Sequence, residues 1–382
     1  MTPSRLLCCM SSMDTGGAET FLMKQYRALD RTNYQMDFCV NKFERGYYDD
    51  EIERLGGKIY RIPPKSQDFF GSLNALTKIV KDNGYEAVLV SSVKPGTALE
   101  LLAAKRGGAT RLIYRSSNTS VDGGQKQKLL HATIGRLAHT VPTVKIAPSV
   151  EAAEYCFGKG CVEKGKAQLL HNGIDPTVYR YSQANREKIR REFSLPEDCL
   201  VLAHVGRFAK AKNHGFLLEV FVKVSERRPD SRLLLIGQGE LENEIRQKAQ
   251  ALGVLDRVIF TGVRSDIPAL LSAADVFVFP SLYEGMPNTV IEAQALSLPC
   301  FVSDRVTKDA ALTEPVRFLP PDSPERWAKC ILERPALPRG DRSREITEKG
   351  YDVQSTSREF VRLCFGDEIN SNQRGGAVRA RK

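Results

Sequence analysis

The most specific chemistry in this chain is carried by two carboxylates, Glu284 and Glu292, in the run Pro280-Ser-Leu-Tyr-Glu284-Gly285-Met-Pro287-Asn288-Thr-Val-Ile-Glu292-Ala. A buried strand pattern leads into Glu284-Gly285, and Pro287 or Asn288 opens a helix pattern. Glu284 is therefore expected in a loop and Glu292 in the early turns of a helix. Carboxylates at such an edge accept paired hydrogen bonds from vicinal hydroxyls, which suits a ribose and a sugar ring. The alternative is two solvent-facing glutamates at a helix start; the apolar residues around both weigh against it.

A second group is cationic. Arg207, Lys210 and Lys212 stand in Val205-Gly-Arg-Phe-Ala-Lys-Ala-Lys-Asn-His214, just ahead of a helix pattern over 215–227. The macrodipole disfavours cations there, so an anion is expected among them, and a phosphate clamp reads better than a solvated charge run. Two glycine turns follow the same logic. Leu235-Ile-Gly237-Gln-Gly239-Glu240 is a strand, a turn and a helix start, and Ser11-Ser-Met-Asp-Thr-Gly16-Gly17-Ala-Glu19 lets a ligand approach backbone amides. The latter is neither a Walker loop nor a complete Gly-x-Gly-x-x-Gly fingerprint. Val263, after a strand pattern over 258–261, is placed either to meet a nucleobase or simply to pack.

The elements that must position these residues alternate throughout. Strand patterns at 5–10, 35–40, 57–62, 86–91, 111–115 and 143–147 are separated by helical periodicities such as 18–29 and 71–81. A second series runs through 200–205, 232–236, 257–261, 276–280 and 299–303. This is the signature of two doubly wound α/β domains, with ligands at the carboxyl ends of the strands. The boundary is expected at the Gly173 and Pro176 punctuation, giving domains over 1–175 and 176–350. The nine cysteines are scattered, none in a Cys-x-x-Cys pair, and read as small buried hydrophobes of a reducing cytoplasm. A net charge of +10 is shared by both halves without a basic-aromatic stretch, which argues against nucleic acid as a partner.

With those motifs in place, the chain resembles family 4 of the retaining glycosyltransferases, in its exopolysaccharide and capsular branch. The resemblance rests on Gly16-Gly17-Ala-Glu19, Asn172-Gly-Ile-Asp175, Val205-Gly-Arg…Lys212-Asn-His, Gly237-Gln-Gly-Glu and Glu284-x7-Glu292, and covers roughly residues 10 to 310. It implies the GT-B architecture, two Rossmann-like domains facing a cleft, with the nucleotide-sugar held by the second domain and the acceptor mostly by the first. By the same resemblance Arg207 and Lys212 bind the diphosphate, Glu284 the donor sugar and Glu292 the ribose, while Gly16 and Gly17 cover the phosphates. Gly237, Val263, Gly285 and Asn288 complete the expected donor site. Segment 351–366 would cross back to the first domain as a helix, and 367–382 would form a mobile basic tail.

One departure concerns the catalytic assignment. Where relatives carry a donor-facing histidine after the strand at 111–114, this chain has Arg115-Ser-Ser-Asn118, and Arg115 is expected to stand in for it beside Glu284. Ser297 replaces the usual glycine. No Asp-x-Asp triplet follows a strand, so neither a metal nor any other cofactor is expected. The partners implied are a nucleotide-sugar and a glycan or polyprenyl-diphosphate-linked acceptor. The amphipathic stripe over 125–141, flanked by Lys126, Lys128 and Arg136, suits either an anionic membrane face or packing of that helix against the first sheet. Two alternatives share the clamp: a nucleotide-sugar epimerase and a catalytically silent nucleotide-binding subunit.

Overall fold

A computed structural model describes residues 2–92, 96–116, 140–284, 286–334 and 338–366. Its two α/β domains are each built on a parallel sheet. The first runs β1 (Ser4–Met10), α1 (Gly17–Ala28), β2 (Tyr34–Val40), α2 (Asp49–Arg54), β3 (Ile59–Arg61), α3 (Phe69–Asn83), β4 (Ala87–Ser91), α4 (Thr97–Arg106), β5 (Arg111–Arg115), β6 (Val144–Ala147), α5 (Val150–Phe157) and β7 (Gln168–Leu169). The second runs α6 (Gln183–Glu192), β8 (Val201–Val205), α7 (His214–Arg227), β9 (Arg232–Ile236), α8 (Glu242–Ala251), β10 (Val258–Phe260), α9 (Ile267–Ala273), β11 (Val276–Phe279), α10 (Asn288–Ala295), β12 (Cys300–Ser303), β13 (Val316–Leu319), α11 (Pro324–Leu332) and α12 (Ser343–Glu348). A last helix, α13 (Val353–Phe365), returns to the first domain.

The sheet orders are β3-β2-β1-β4-β5-β6-β7 and β10-β9-β8-β11-β12-β13. Helices cover both faces, so the central strands are apolar runs: Leu6–Met10, Val88–Val90, Leu233–Ile236 and Val276–Phe279 are all buried. Strand order reverses between β1 and β4 in the first sheet and between β8 and β11 in the second. The loops leaving those strands diverge, and the crevice between them is where an open α/β sheet takes its ligand. Gly16-Gly17 follows β1, the Arg207–Lys212 segment follows β8, and Glu284 follows β11. All three sequence signals therefore fall at the switch points.

Two short edge strands have no counterpart in the sequence reading. Gln168–Leu169 is too brief to show alternation, and Val316–Leu319 is bracketed by Pro315 and Pro320. The other strand limits agree with expectation to within two residues or fewer, the largest difference being at Ile59–Arg61. All nine cysteines are unpaired and all but Cys330 are buried, as expected. The basic tail 367–382, Gly285 and nearly all of the stripe at 125–141 lie outside the described residues. Among the described residues no helix is long and apolar enough to cross a membrane.

The returning helix is anchored by packing. The Asp352 side chain caps it by accepting a hydrogen bond from the Ser355 amide. Phe360, Leu363 and Cys364 enter the core formed by Leu6, Cys8 and Phe21, with the Phe21 and Phe360 rings edge-on at 6.2 Å. Phe360→Ala is expected to lower the stability of the chain by about 3–5 kcal/mol in urea unfolding, whereas Phe70→Ala at an exposed site should stay within about 0.5 kcal/mol of wild type.

Candidate functional site

The β8 loop is set by close backbone packing. Gly237 has φ +136°, and a Cβ there would lie 2.3 Å from the Gly206 carbonyl oxygen; a Cβ on Gly239 would lie 2.6 Å from the backbone of Phe208. These glycines let the turn after β9 press against Gly206–Phe208. A 3₁₀ turn, Lys210–Lys212, then leads into Asn213, which takes a left-handed conformation (φ 56°) before α7. The Leu282 amide donates to the Ala211 carbonyl at 2.8 Å, and Asn213 Nδ2 to the Pro280 carbonyl at 3.3 Å. The β8 and β11 loops thus form one wall.

On that wall the charges are paired. Lys212 Nζ lies 2.5 Å from Glu284 Oε1 and 4.8 Å from the centre of the Phe279 ring. Arg207 pairs with Glu240 at 3.0 Å, but both side chains are largely in solvent, where such a pair contributes about 0–1 kcal/mol and leaves the guanidinium readily redirected. Asn288, the first residue of α10, has a buried Oδ1 without a hydrogen-bond partner among the described residues. Val263 is about one-third exposed, just past the Gly237–Gly262 bridge. Glu292 is buried on α10, and its carboxylate is held from the other domain: Lys24 Nζ of α1 lies 2.8 Å from Oε1.

From the first domain, Gly16 and Gly17 open α1 at the cleft. Burial raises the Glu19 carboxyl above its ordinary range, offset in part by the positive fields of Arg115 and, across the cleft, Arg207. Arg115 is buried at the end of β5. Its guanidinium is 1% exposed, lies 3.8 Å from the centre of the Phe21 ring, and donates to Asn172 Oδ1 at 2.6 Å and to Ser91 Oγ at 3.4 Å. Burial pushes its pKa down to about 10. Sealed in this way, Arg115 meets the cleft through Phe21 and Asn172 rather than by its own surface.

Four residues at the site went unassigned in the sequence reading. Lys24 sits at an ordinary amphipathic position, and its partner is 268 residues away, so no local signal exists. Tyr179, in the linker, lies beside the same pair, with Lys24 Nζ 5.5 Å from the centre of its ring. Glu19 and Asn172 did have a signal, since both stand inside motifs that were read for their glycines.

Comparison with known proteins gives the following. Residues 185–349 match the family Glycosyl transferases group 1, and residues 15–178 match Glycosyltransferase Family 4. EpsF of Bacillus subtilis, a protein named for glycosyl transfer, is 34% identical over 365 residues, covering 92% of this chain and 93% of that one. An Escherichia coli enzyme named UDP-Gal:alpha-D-GlcNAc-diphosphoundecaprenol alpha-1,3-galactosyltransferase is 30% identical over 61% of each chain. Among solved structures, Anabaena HepE in complex with UDP-glucose superposes with a TM-score of 0.71 at 19% identity, covering 94% and 95% of the two chains. WaaG, a glycosyltransferase of lipopolysaccharide biosynthesis, superposes at 0.72 with 16% identity, covering 95% and 100%. These superpositions show the GT-B arrangement of the two domains.

Beneath the cationic loop lies a buried histidine pair. His204 Nδ1 donates to the Val278 carbonyl at 2.8 Å, and the ring stands edge-on to His214 at 4.8 Å, which in turn stacks on Phe208 at 4.3 Å. Burial first, then for His214 the neighbouring His204, pushes the pKa values down to about 4 and about 2. Both histidines are neutral when folded, while the unfolded chain takes up protons near pH 6.5. Their neutral burial therefore favours folding fully above about pH 6.5, and stability falls as the pH drops toward 4. His214→Phe, which keeps the stack, should flatten the decline of the urea midpoint between pH 6.5 and 4; an unchanged slope would show that the decline arises elsewhere.

Proposed function

The chain belongs to the glycosyltransferases, matching family 4 in its first half and group 1 in its second, and we propose that it is a retaining, metal-independent enzyme of cell-surface polysaccharide synthesis. In this reading it moves a sugar from a nucleoside-diphosphate donor to a glycan or polyprenyl-diphosphate-linked acceptor. The observation that carries the reading is the gathering of Arg207, Lys212, Glu284, Asn288 and Glu292 at the switch point of the second sheet, facing α1 of the first. The names of the relatives support the substrate classes. HepE has been crystallised with UDP-glucose, and the E. coli relative is named for a UDP-galactose donor and a diphosphoundecaprenol acceptor.

The chemistry follows from where charge develops. As the glycosidic bond to the donor breaks, negative charge gathers on the departing diphosphate, and groups fixed there lower the barrier most. Arg207 leaves its exposed carboxylate partner, and Lys212 turns from Glu284 toward the phosphates, as the α7 amides and the Gly16-Gly17 turn close over them. Glu284, released, accepts hydrogen bonds from the sugar hydroxyls, and Asn288 gains the partner its buried oxygen lacks. Glu292 takes the ribose and Val263 flanks the base, while Gly237 keeps the wall in register. Two cations do the work that a divalent ion would otherwise do at the leaving group. Retention comes from the family likeness, and no carboxylate is assigned as a covalent nucleophile. Arg115 acts as a positioning residue for α1 and the linker. On the acceptor side, attachment to an anionic inner membrane face accords with the amphipathic stripe at 125–141 and its flanking Lys126, Lys128 and Arg136.

Isothermal calorimetry with nucleoside diphosphate tests the clamp: Arg207→Ala and Lys212→Ala should each weaken binding by about 1.5–3 kcal/mol. In steady-state kinetics Glu292→Ala should mainly raise KM, since ribose contacts are shared by ground and transition states. Glu284→Ala should mainly lower kcat, because the sugar changes shape and charge as its bond breaks. Transfer should survive excess EDTA; a rate that collapses with chelator and returns with magnesium or manganese would refute metal independence.

A further inference from the structure

The cross-domain bond between Lys24 and Glu292 occupies the carboxylate that the reading above assigns to ribose. Both side chains are largely buried, at 14% and 7% exposure, and the separation is 2.8 Å. Tyr179 completes the arrangement. It packs against the second core, and Lys24 Nζ lies 5.5 Å from the centre of its ring. The carboxylate of α10 thus has an ammonium as its hydrogen-bond donor, and that cation comes from the opposite domain.

This has an energetic consequence. A carboxylate and an ammonium removed from water need one another, because breaking such a pair leaves a poorly solvated charge. A ribose diol is neutral and offers only hydroxyl donors, so exchanging Lys24 for ribose is opposed unless Lys24 returns to water. At 14% exposure it lies largely between α1 and α10, and separation of the two helices would return it to water. We infer that Lys24 is an internal competitor of the donor nucleotide: by pairing with Glu292 it holds the empty cleft shut, and the nucleotide binds only to the fraction of molecules in which that pair has opened. The apparent dissociation constant is then raised by the inverse of that fraction. This inference rests on the assignment of ribose to Glu292.

The salt bridge would also favour product release, since closure over an empty ribose pocket re-forms the pair as the nucleotide leaves. Lys24 would thus govern affinity for nucleotide without touching the sugar being transferred.

The test compares wild type, Lys24→Met and Lys24→Arg by calorimetry. The probe is whichever of UDP, GDP and ADP stabilises the wild-type chain most in a thermal-shift panel, together with its 2′,3′-dideoxy analogue. Lys24→Met keeps the length of the side chain but not its charge. It should tighten binding of the natural nucleotide about three- to tenfold, and the unliganded chain should show a larger radius of gyration in X-ray scattering. Lys24→Arg, which retains a cation, should stay near wild type in both measurements. Unchanged or weaker binding by Lys24→Met, with the dideoxy analogue still binding poorly, overturns the competitor role and leaves the ribose assignment standing. Equal binding of the natural and dideoxy nucleotides overturns the ribose assignment and the inference with it.

Discussion

The chain passes between its two domains twice, and the two passages are bonded to each other. Leaving the first domain, Ile174 donates from its amide to the Tyr351 carbonyl and accepts from the Val353 amide, both at 2.8 Å, so the outgoing linker and the returning strand form a single bridge. Gly173 permits the approach: a Cβ there would lie 2.9 Å from the Val353 Cα and 2.2 Å from Thr356 Oγ1. His171 stacks on Tyr351 at 4.1 Å beside it. Both crossings are thus tied at one point. The two sheet edges are thereby kept opposed, and every proposed contact between nucleotide, sugar and acceptor presupposes that opposition.

The same constraint explains the charges in the cleft. Cations gathered in a narrow crevice repel one another and lose solvation unless they are paired. The chain meets this with its own carboxylates: Glu284 takes Lys212, Glu240 takes Arg207, and Lys24 takes Glu292 from across the gap. A wall built this way is electrically balanced by the chain's own side chains. Two buried oxygens on the wall, Ser281 Oγ and Asn288 Oδ1, have no hydrogen-bond partner among the described residues.

Legibility in the sequence follows from the range of the interactions. The parallel sheets were readable because buried strands leave apolar runs and glycine turns, and the site was readable because loops at strand ends carry charge beside glycine. Gln168–Leu169 and Val316–Leu319 were not, because edge strands of two and four residues carry too few positions for a pattern. Arg115 was visible as a departure at the end of β5, and its place at a strand end suggested the cleft. Its burial depends on Phe21, Ser91 and Asn172, which come from three separate segments. The pairing of Lys24 with Glu292 joins the two halves of the chain and has no local signature at all.

Arg115 connects these levels. Its contacts run to β4 through Ser91, to α1 through Phe21 and to the linker through Asn172, one residue before the glycine at the bridge. Phe21 also touches Phe360 on the returning helix, so both crossings and the helix bearing Lys24 bear on one guanidinium. A histidine there would be shorter and could not make all three contacts while staying sealed. The guanidinium therefore ties α1, β4 and the linker together at one buried point.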